Sequence, residues 1–261
     1  MGISAKSFTF NGTSSSSFDV VLVSFDTTSN TDTYKKDIIQ DNITSYRHTT
    51  SVRGVKYSSP IQLSVDICKE NSDWFTEQEY SSLVRWLSTS SPKLLSFSSC
   101  SNPNFNGVHF YAVCSSLTRF ENYGNVAGLQ LIFDTTAPYA YSDEDDIETQ
   151  CTTSTTLTVN NTSDEEDDYY PIVTIKSLDN QDVSIVNNTD DNRSMTVTMV
   201  KDQTIIFNYD DGTCTDNTGI FKLDDFNLNW LRLVPGNNQL MVIGNCEVTI
   251  HCEFPRLVGG Y

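Results

Sequence analysis

The stretch from Asp73 to Phe97 constrains the fold most, because it holds the one clear helix in a chain otherwise patterned as strands and turns. Thr76 and Glu79 have the spacing of a capping box, in which each side chain accepts a hydrogen bond from the other residue's backbone N–H. Pro92 prevents the helix from continuing. A helix this short is marginal alone in water, so it predicts a sheet on which its apolar face packs. That face repeats at helical spacing and comprises Tyr80, Leu83, Val84 and Leu87.

The first half of the chain predicts strands on both sides of this helix. Phe18–Phe25 is apolar nearly throughout, so we expect it to be a central strand. Ile61–Ile67 alternates apolar and polar residues, which is typical of a strand with one buried face. Residues 8–133 therefore predict an α+β unit of about six strands and one helix. The other clear strands are Phe8–Phe10, Leu94–Phe97, Val108–Ser115 and Gly128–Phe133.

A long polar excursion interrupts these strands at Thr27–Lys36. Loops of this length inside a compact domain are usually functional. We therefore expect it to reach across to a neighbouring copy of the chain.

A change in composition predicts a domain boundary near residue 142, where the acidic run Ser142–Asp146 begins. We assign residues 1–141 to one domain and 142–261 to another. No convincing helix follows, and short strands alternate with polar turns, which predicts a β-sandwich of the jelly-roll type. Gly244 and Asn245 have the pattern of a two-residue hairpin turn. The predicted strands are Thr155–Val159, Ile172–Ile175, Val183–Val186, Met195–Val200, Thr204–Asn208, Asn227–Leu233, Gln239–Ile243 and Glu247–Phe254.

Charge and apolar patterning exclude several classes of function. A net charge of −18 argues against a phosphate-binding surface, which needs clustered Lys and Arg. An acidic channel would still let DNA pass through without sticking. No apolar run reaches membrane-spanning length, and the opening MGISAKSFTFNG lacks the apolar stretch of a secretory signal. Seven cysteines without a C-x-x-C pair predict reduced thiols in a protein made in a cytoplasm.

A search for chemistry gives no catalytic, cofactor-binding or metal-binding residues, and we predict no cofactor. The nucleophile, zinc-protease, P-loop and dinucleotide motifs are all absent. His48, His109 and His251 are far apart in sequence, and the last two fit strand faces. The acidic run Asp164–Asp168 predicts a solvated loop, because adjacent carboxylates diverge. Three aromatic side chains would suit a sugar cleft of the second domain, but core or edge packing is the favoured explanation for them: Trp230, Tyr169 and Tyr170.

Several stretches, in their order, resemble the distal tail proteins of long-tailed, siphovirus-type bacteriophages. In the first half these are FTFNGTSSSSFDVVLVSF, a strand ending in VDI, a helix with T-x-x-E and a late Trp, LLSF, and LIFDTTAPYAYS. In the second half they are LTVNNTSDEEDDYYPIVTIK, VSIVNNTD and WLRLVPGNNQLMVIG. The resemblance covers nearly the whole chain. The acidic loop at 164–168 and the tail FPRLVGGY depart from the family pattern.

The resemblance implies a structural role in the virion, at the distal end of the tail, after assembly in the host cytoplasm. Such proteins form a homo-hexameric ring whose N-terminal domains contact the tail tube protein on one side and the tail-associated fibre or lysin protein on the other. Their galectin-like sandwiches carry receptor-binding proteins or touch the host surface, and DNA passes through the lumen. No enzyme activity and no membrane insertion are implied.

Two other classes of function remain open at this point. The sandwich would be a carbohydrate-binding adhesin module if stacked aromatic residues lined a cleft for a host cell-wall glycan. A glycoside hydrolase would need two carboxylates flanking a groove. The acidic residues fall in loops and runs rather than in isolated pairs, which disfavours the hydrolase.

Overall fold

The computed structural model describes residues 5–23, 36–44, 50–57, 59–100 and 103–258. By its internal contacts the chain divides into two compact units, Met1–Ser142 together with Arg256–Tyr261, and Asp143–Pro255. The tail from Arg256 therefore groups with the first unit, where Val258 is buried in the core, whereas the sequence analysis assigned the tail to the second domain. Antiparallel sheets dominate both units, and the mainly β fold class is confirmed.

The first unit is built on one large sheet. The strands of this unit are β1 Ser7–Phe10, β2 Thr13–Ser14, β3 Val20–Val23, β4 Lys36–Thr44, β5 Thr50–Tyr57, β6 Gln62–Lys69, β7 Lys93–Ser98, β8 Val108–Asn122, β9 Asn125–Thr135 and β10 Ala140–Ser142. The order of strands in the large sheet is β2-β1-β7-β8-β9-β6-β3, and β10 pairs with β8 of this sheet. The strands β4 and β5 form a separate two-stranded sheet.

The predicted helix is confirmed as α1, Glu77–Leu87, the only α-helix among the described residues. Its capping box is present, since Thr76 Oγ1 accepts from the Glu79 N–H at 3.3 Å and Glu79 Oε2 accepts from the Thr76 N–H at 2.8 Å. Leu83 and Leu87 are buried in the core, with Tyr80 packed beside them. Trp86 donates a hydrogen bond to the Phe10 carbonyl at 3.1 Å, which ties the helix to β1. The helix thus packs on the sheet, as its periodicity predicts.

The strand expected to be central is instead at the end of the sheet path. Residues Val20–Val23 form β3, which pairs with β6 in the described part of the sheet. Only Val20 of this strand is buried. The prediction of a central strand failed because an apolar run alone does not distinguish a strand covered on both sides from an edge strand. The predicted loop Thr27–Lys36 lies outside the described residues, except for Lys36, which begins β4.

The second unit is the predicted β-sandwich. One sheet has the order β11-β19-β13-β16-β17, the other has the order β12-β18-β14-β15, and apolar side chains from both form one core. The prediction missed β11 and β17, which are polar and short of apolar alternation. The strands are β11 Asp145–Cys151, β12 Ser154–Asn161, β13 Ile172–Ser177, β14 Gln181–Asn187, β15 Arg193–Met199, β16 Thr204–Asn208, β17 Thr213–Asp216, β18 Gly236–Ile243 and β19 Cys246–Cys252. The short strand β20, Pro255–Arg256, follows in the chain.

Gly244 and Asn245 do not make a hairpin, so this prediction is wrong. The strand before them, β18, pairs with β12 and β14, whereas the strand after them, β19, pairs with β11 and β13 in the other sheet. The two residues therefore carry the chain between the layers of the sandwich. Gly244 has a φ of +126°, and a side chain there would lie 3.3 Å from Val183 Cγ2, so the crossing favours glycine.

We predict that residues 143–255 fold on their own, because the second unit has its own core. The fragment should give a near-ultraviolet circular dichroism signal and a single cooperative melt. A fragment starting at Ser154 lacks β11, the partner of β19 along its whole length, and should not melt cooperatively. The prediction would be contradicted if the fragment 143–255 unfolded without a cooperative thermal transition.

Candidate interaction surfaces

The β4–β5 hairpin presents an exposed apolar face. Ile38 pairs with Val55, and Gln40 pairs with Val52, so the three apolar side chains share one side of the hairpin. Ile38 is 58% exposed, Val52 57% and Val55 56%. A contiguous exposed apolar surface of this kind marks interaction sites in folded proteins. An isolated two-stranded hairpin is marginally stable, so a partner on this face would also stabilise it.

The base of the hairpin is tied to the first unit by aromatic contacts. The Tyr57 ring packs edge-on against the Tyr139 ring at a centroid distance of 6.1 Å. The Lys36 ammonium lies 4.5 Å from the centre of the Tyr57 ring, within the range of a cation–π interaction. Tyr57, at the end of β5, therefore links the hairpin to the rest of the first unit, and Lys36, at the start of β4, packs on Tyr57.

In the second unit, the segment 227–233 is not a strand, although its apolar residues predicted one. Only isolated bridges occur at its borders, at Phe226 and Leu233. Buried asparagine side chains bind its backbone carbonyl groups instead: Asn161 Nδ2 donates to Leu233 O at 3.0 Å, and Asn187 Nδ2 donates to Arg232 O at 2.9 Å. These two carbonyl groups are therefore satisfied by side chains rather than by a neighbouring strand.

Asn238 is the centre of this asparagine network and is fully buried. Its Nδ2 donates to Val234 O at 2.8 Å and Gly236 O at 2.9 Å, and its Oδ1 accepts from Val234 N and Asn187 Nδ2 at 2.9 Å each. The network fixes the turn that precedes β18. It also holds in place the segment that carries Trp230 and Arg232.

Arg232 joins two carboxylates beside this segment. Its Nε and Nη2 donate to the two oxygens of Asp190 at 2.7 Å each, and its Nη1 lies 3.0 Å from Asp168 Oδ2. The hydrogen bonds from Arg232 hold the pKa of Asp190 below its ordinary value, and those to Asp190 raise the pKa of Arg232. Asp168 is the last residue of the predicted acidic loop, so this ion pair anchors the end of that loop.

The aromatic residues expected to line a sugar cleft separate into two groups. Tyr169 belongs to the core region: its ring packs on Phe254 at 4.8 Å, its hydroxyl accepts from the Glu253 N–H, and burial raises its pKa. Tyr170 stacks on Tyr209 with ring centres 3.8 Å apart, and Tyr209 contacts Trp230 at 5.9 Å. Tyr209 is 44% exposed and was missed in the sequence, because it lies in a different loop from the other two.

The histidines lie where the strand pattern predicts, apart from His48, which is outside the described residues. His109 is buried in β8 and stacks on Tyr141. His251 is in β19, and its Nδ1 lies 2.5 Å from Asp146 Oδ1.

The seven cysteines are unpaired thiols, four of them buried, and burial raises the pKa of Cys252 to about 12. The Cys252 thiol is therefore a poor nucleophile, because its thiolate form is disfavoured.

The acidic run at the start of the second unit is partly ordered into a strand. Asp145 and Asp146 begin β11 and pair with Cys252 and His251 of β19. Glu144 lies next to them, and together with His251 and Glu253 it forms a group whose ligand-type atoms are within 4.8 Å of one another.

Among the described residues, no helix is long and apolar enough to cross a membrane.

Both halves of the chain match models of known protein families. A family model described as the phage tail protein N-terminal domain matches residues 3–137, and a second one, described as the phage tail C-terminal domain, matches residues 139–252. The chain belongs to this family of phage tail proteins. It is therefore a component of the virion tail, and its predicted relationship to phage tail proteins is confirmed.

The solved structure of another phage protein has the same fold as this phage tail protein. The Dit protein of phage SPP1, described as a paradigm of the hub adsorption apparatus in phages that infect Gram-positive bacteria, aligns with a TM-score of 0.68 and 14% identity over 95% of this chain and 98% of that one. Two structures of the phage P2 baseplate in its activated conformation, with Ca and with Sr, align with TM-scores of 0.46 and 0.47 and 11% identity, over 89% and 90% of this chain and 90% of theirs. No curated protein gives a significant match.

Proposed function

We propose that this phage tail protein forms a hexameric ring at the tail tip. The ring would join the tail tube to the tail-associated fibre or lysin protein and to the receptor-binding apparatus. The observation that carries the proposal is the match of both halves of the chain to phage tail domains, at 3–137 and 139–252. The fold shared with SPP1 Dit over nearly the full length of both chains supports it. The role is structural and involves no catalysis.

The exposed face of the β4–β5 hairpin supports self-assembly. A ring needs a heterologous interface, in which one surface of a copy meets a different surface of the next copy. Ile38, Val52 and Val55 provide an apolar surface for one side of such an interface. The polar excursion at Thr27–Lys36 leads directly into this hairpin in sequence, so we propose that it reaches across to the neighbouring copy in the ring.

The net charge of −18 supports a role in which DNA passes through the ring without specific binding. Like charges keep the nucleic acid from adhering to an acidic surface, because tight phosphate contacts need clustered cations. We place the ring at the distal end of the tail, formed after synthesis in the host cytoplasm. The first unit would contact the tube and the fibre or lysin protein, and the sandwich would face the host.

We predict that replacing Ile38 and Val55 together by Ser abolishes the ring without unfolding the chain. Both side chains are more than half exposed, and such surface substitutions usually change stability by about 0.5 kcal/mol or less. Loss of apolar contact between copies should leave a monomer. Native mass spectrometry and light scattering measure the assembly, and circular dichroism measures the melt.

Ile220→Ser is the matched control for this experiment. Ile220 is also 58% exposed but lies in the second unit, so its replacement should leave the ring intact. A double variant that assembles like the unchanged chain would remove the hairpin from the interface. An unchanged chain that stays monomeric even with the tail tube protein would contradict the ring itself.

A second candidate function is recognition of a host cell-wall glycan by the sandwich. The exposed ring of Tyr209 between Tyr170 and Trp230 favours it, because aromatic faces stack on sugar rings. Tyr209→Ala should then abolish binding of the full chain to host cell-wall fragments in a pull-down. Phe221→Ala is the control, since Phe221 is 65% exposed and contributes to none of the described aromatic contacts around Tyr209. Binding that is absent from the unchanged chain would exclude this function.

A further inference from the structure

Four polar side chains meet where the second unit begins and ends. Glu144 immediately precedes β11, and Glu253 immediately follows β19. Asp146 and His251 are register partners on these two strands, which places residues from distant parts of the sequence side by side. One ligand-type atom from each of Glu144, His251 and Glu253 lies within 4.8 Å of the other two.

Strand alternation directs these side chains to one surface. Ile250 and Cys252 of β19 are buried in the core, whereas His251 and Glu253 are half-buried and belong to the opposite face. Glu144 is exposed. The group is therefore reachable from solvent, and an ion has a path to it.

The donor set favours a transition metal over calcium. It combines one imidazole nitrogen with two carboxylates, and Zn²⁺ accepts such mixed nitrogen and oxygen ligands, whereas Ca²⁺ selects oxygen. Three protein ligands with an open fourth position are a common zinc arrangement. Ligands bound to one Zn²⁺ at about 2.0–2.2 Å lie within about 4 Å of each other, so small rotations of the two glutamate side chains would close the site.

Asp146 adds the feature that usually accompanies a metal-binding histidine. Its Oδ1 lies 2.5 Å from His251 Nδ1. A carboxylate on one ring nitrogen fixes the orientation and tautomer of the imidazole, which strengthens it as a ligand. The pair was not visible from sequence spacing, because only the antiparallel register joins the two residues.

We propose that Glu144, His251 and Glu253 bind a divalent transition-metal ion, for which Zn²⁺ is the probe, with Asp146 orienting the histidine. The ion ties the first strand of the second unit to its last strand, where the chain enters and leaves the sandwich. It also offsets the repulsion among the three neighbouring carboxylates. A ligand that binds only the folded unit stabilises it by RT ln(1 + L/Kd), where L is the free ligand concentration, so the melting temperature rises with the free zinc concentration.

Calorimetry with ZnCl2 tests the proposal on the full chain, prepared without a polyhistidine tag and stripped with a chelator. The expected result is one site per chain and a higher melting temperature with zinc. Co²⁺ should give a visible absorption band whose intensity depends on the imidazole. His251→Gln and Glu144→Gln should each weaken binding at least tenfold, and Asp146→Asn should weaken it about tenfold to a hundredfold, as expected for a group that orients a ligand.

Glu148→Gln is the matched control, because Glu148 is an exposed carboxylate of the same strand outside the group, and it should bind zinc as before. If His251→Gln disturbs folding in the absence of metal, Glu144→Gln decides the question, since Glu144 is exposed and precedes the strand. The proposal is overturned if the unchanged chain binds no zinc at 1 mM. It is equally overturned if His251→Gln and Glu144→Gln both bind zinc as tightly as the unchanged chain. The ion would then be bound elsewhere, for instance by thiols.

Discussion

Leu83→Ala is expected to destabilise the first unit by about 2–5 kcal/mol. Leu83 is 1% exposed and lies on the face of α1 that packs into the core of the first unit. The substitution removes buried apolar atoms and leaves a cavity that the surrounding residues fill only in part. Hydrogen-exchange mass spectrometry at increasing denaturant concentration measures the free energy of unfolding for each unit separately. The loss should be confined to the first unit.

Ser81→Ala is the control, because Ser81 is an exposed residue of the same helix. It should change the free energy of unfolding by about 0.5 kcal/mol or less. If Leu83→Ala gave an equally small change, the helix would not depend on its apolar face, and the docking on the sheet would be contradicted.

Asn238→Ala is expected to destabilise the second unit by about 3 kcal/mol. The substitution removes the hydrogen-bond partner of Val234 N, Val234 O, Gly236 O and the Asn187 amide. Each fully buried polar group left without a partner costs about 1–3 kcal/mol, and several of these four groups are only partly buried, so we expect a total below the sum of four such costs. The turn before β18 and the segment carrying Trp230 should then exchange faster in hydrogen-exchange experiments.

Asn237→Ala provides the comparison, since Asn237 is the neighbouring residue, has the same chemistry and is exposed. Its replacement should leave both units unchanged within about 0.5 kcal/mol. Equal effects of the two substitutions would mean that the asparagine network does not hold this segment in place.

Local signals in the sequence predicted a large part of the fold. The capping box at Thr76 and the apolar spacing that includes Leu83 predict α1 and its buried face, because a helix is built from contacts three and four residues apart. Alternation predicts β6 and β19 with their buried sides, because successive strand residues face opposite ways. These features depend only on neighbours along the chain.

The same signals failed where pairing between distant segments decides the structure. The apolar run in β3 predicts a buried strand, but whether a second strand lies beside it depends on the order of the sheet. Segment 227–233 has the apolar content of a strand, yet the Asn161 and Asn187 side chains donate to its Leu233 and Arg232 carbonyl groups in place of a neighbouring strand. A run of apolar letters contains no information about such partners.

The candidate sites divide in the same way. Tyr170 and Trp230 were noted in the sequence as aromatic residues of a possible cleft, and the structure brings them together through Tyr209. The exposed face of the hairpin depends on the register that pairs Ile38 with Val55. The group of Glu144, His251 and Glu253 depends on the pairing of β11 with β19.

The sequence by itself determined the mainly β class, the one α-helix among the described residues, the buried faces of the strongly alternating strands and the relationship to phage tail proteins. These follow from local periodicity and from the order of motifs along the chain. The tertiary structure alone decided that Gly244 and Asn245 link two sheets rather than two paired strands, and which polar side chains meet at the ends of β11 and β19. The physical reason is that strand partners are chosen by packing and hydrogen bonding across the whole unit, over separations that no local pattern spans.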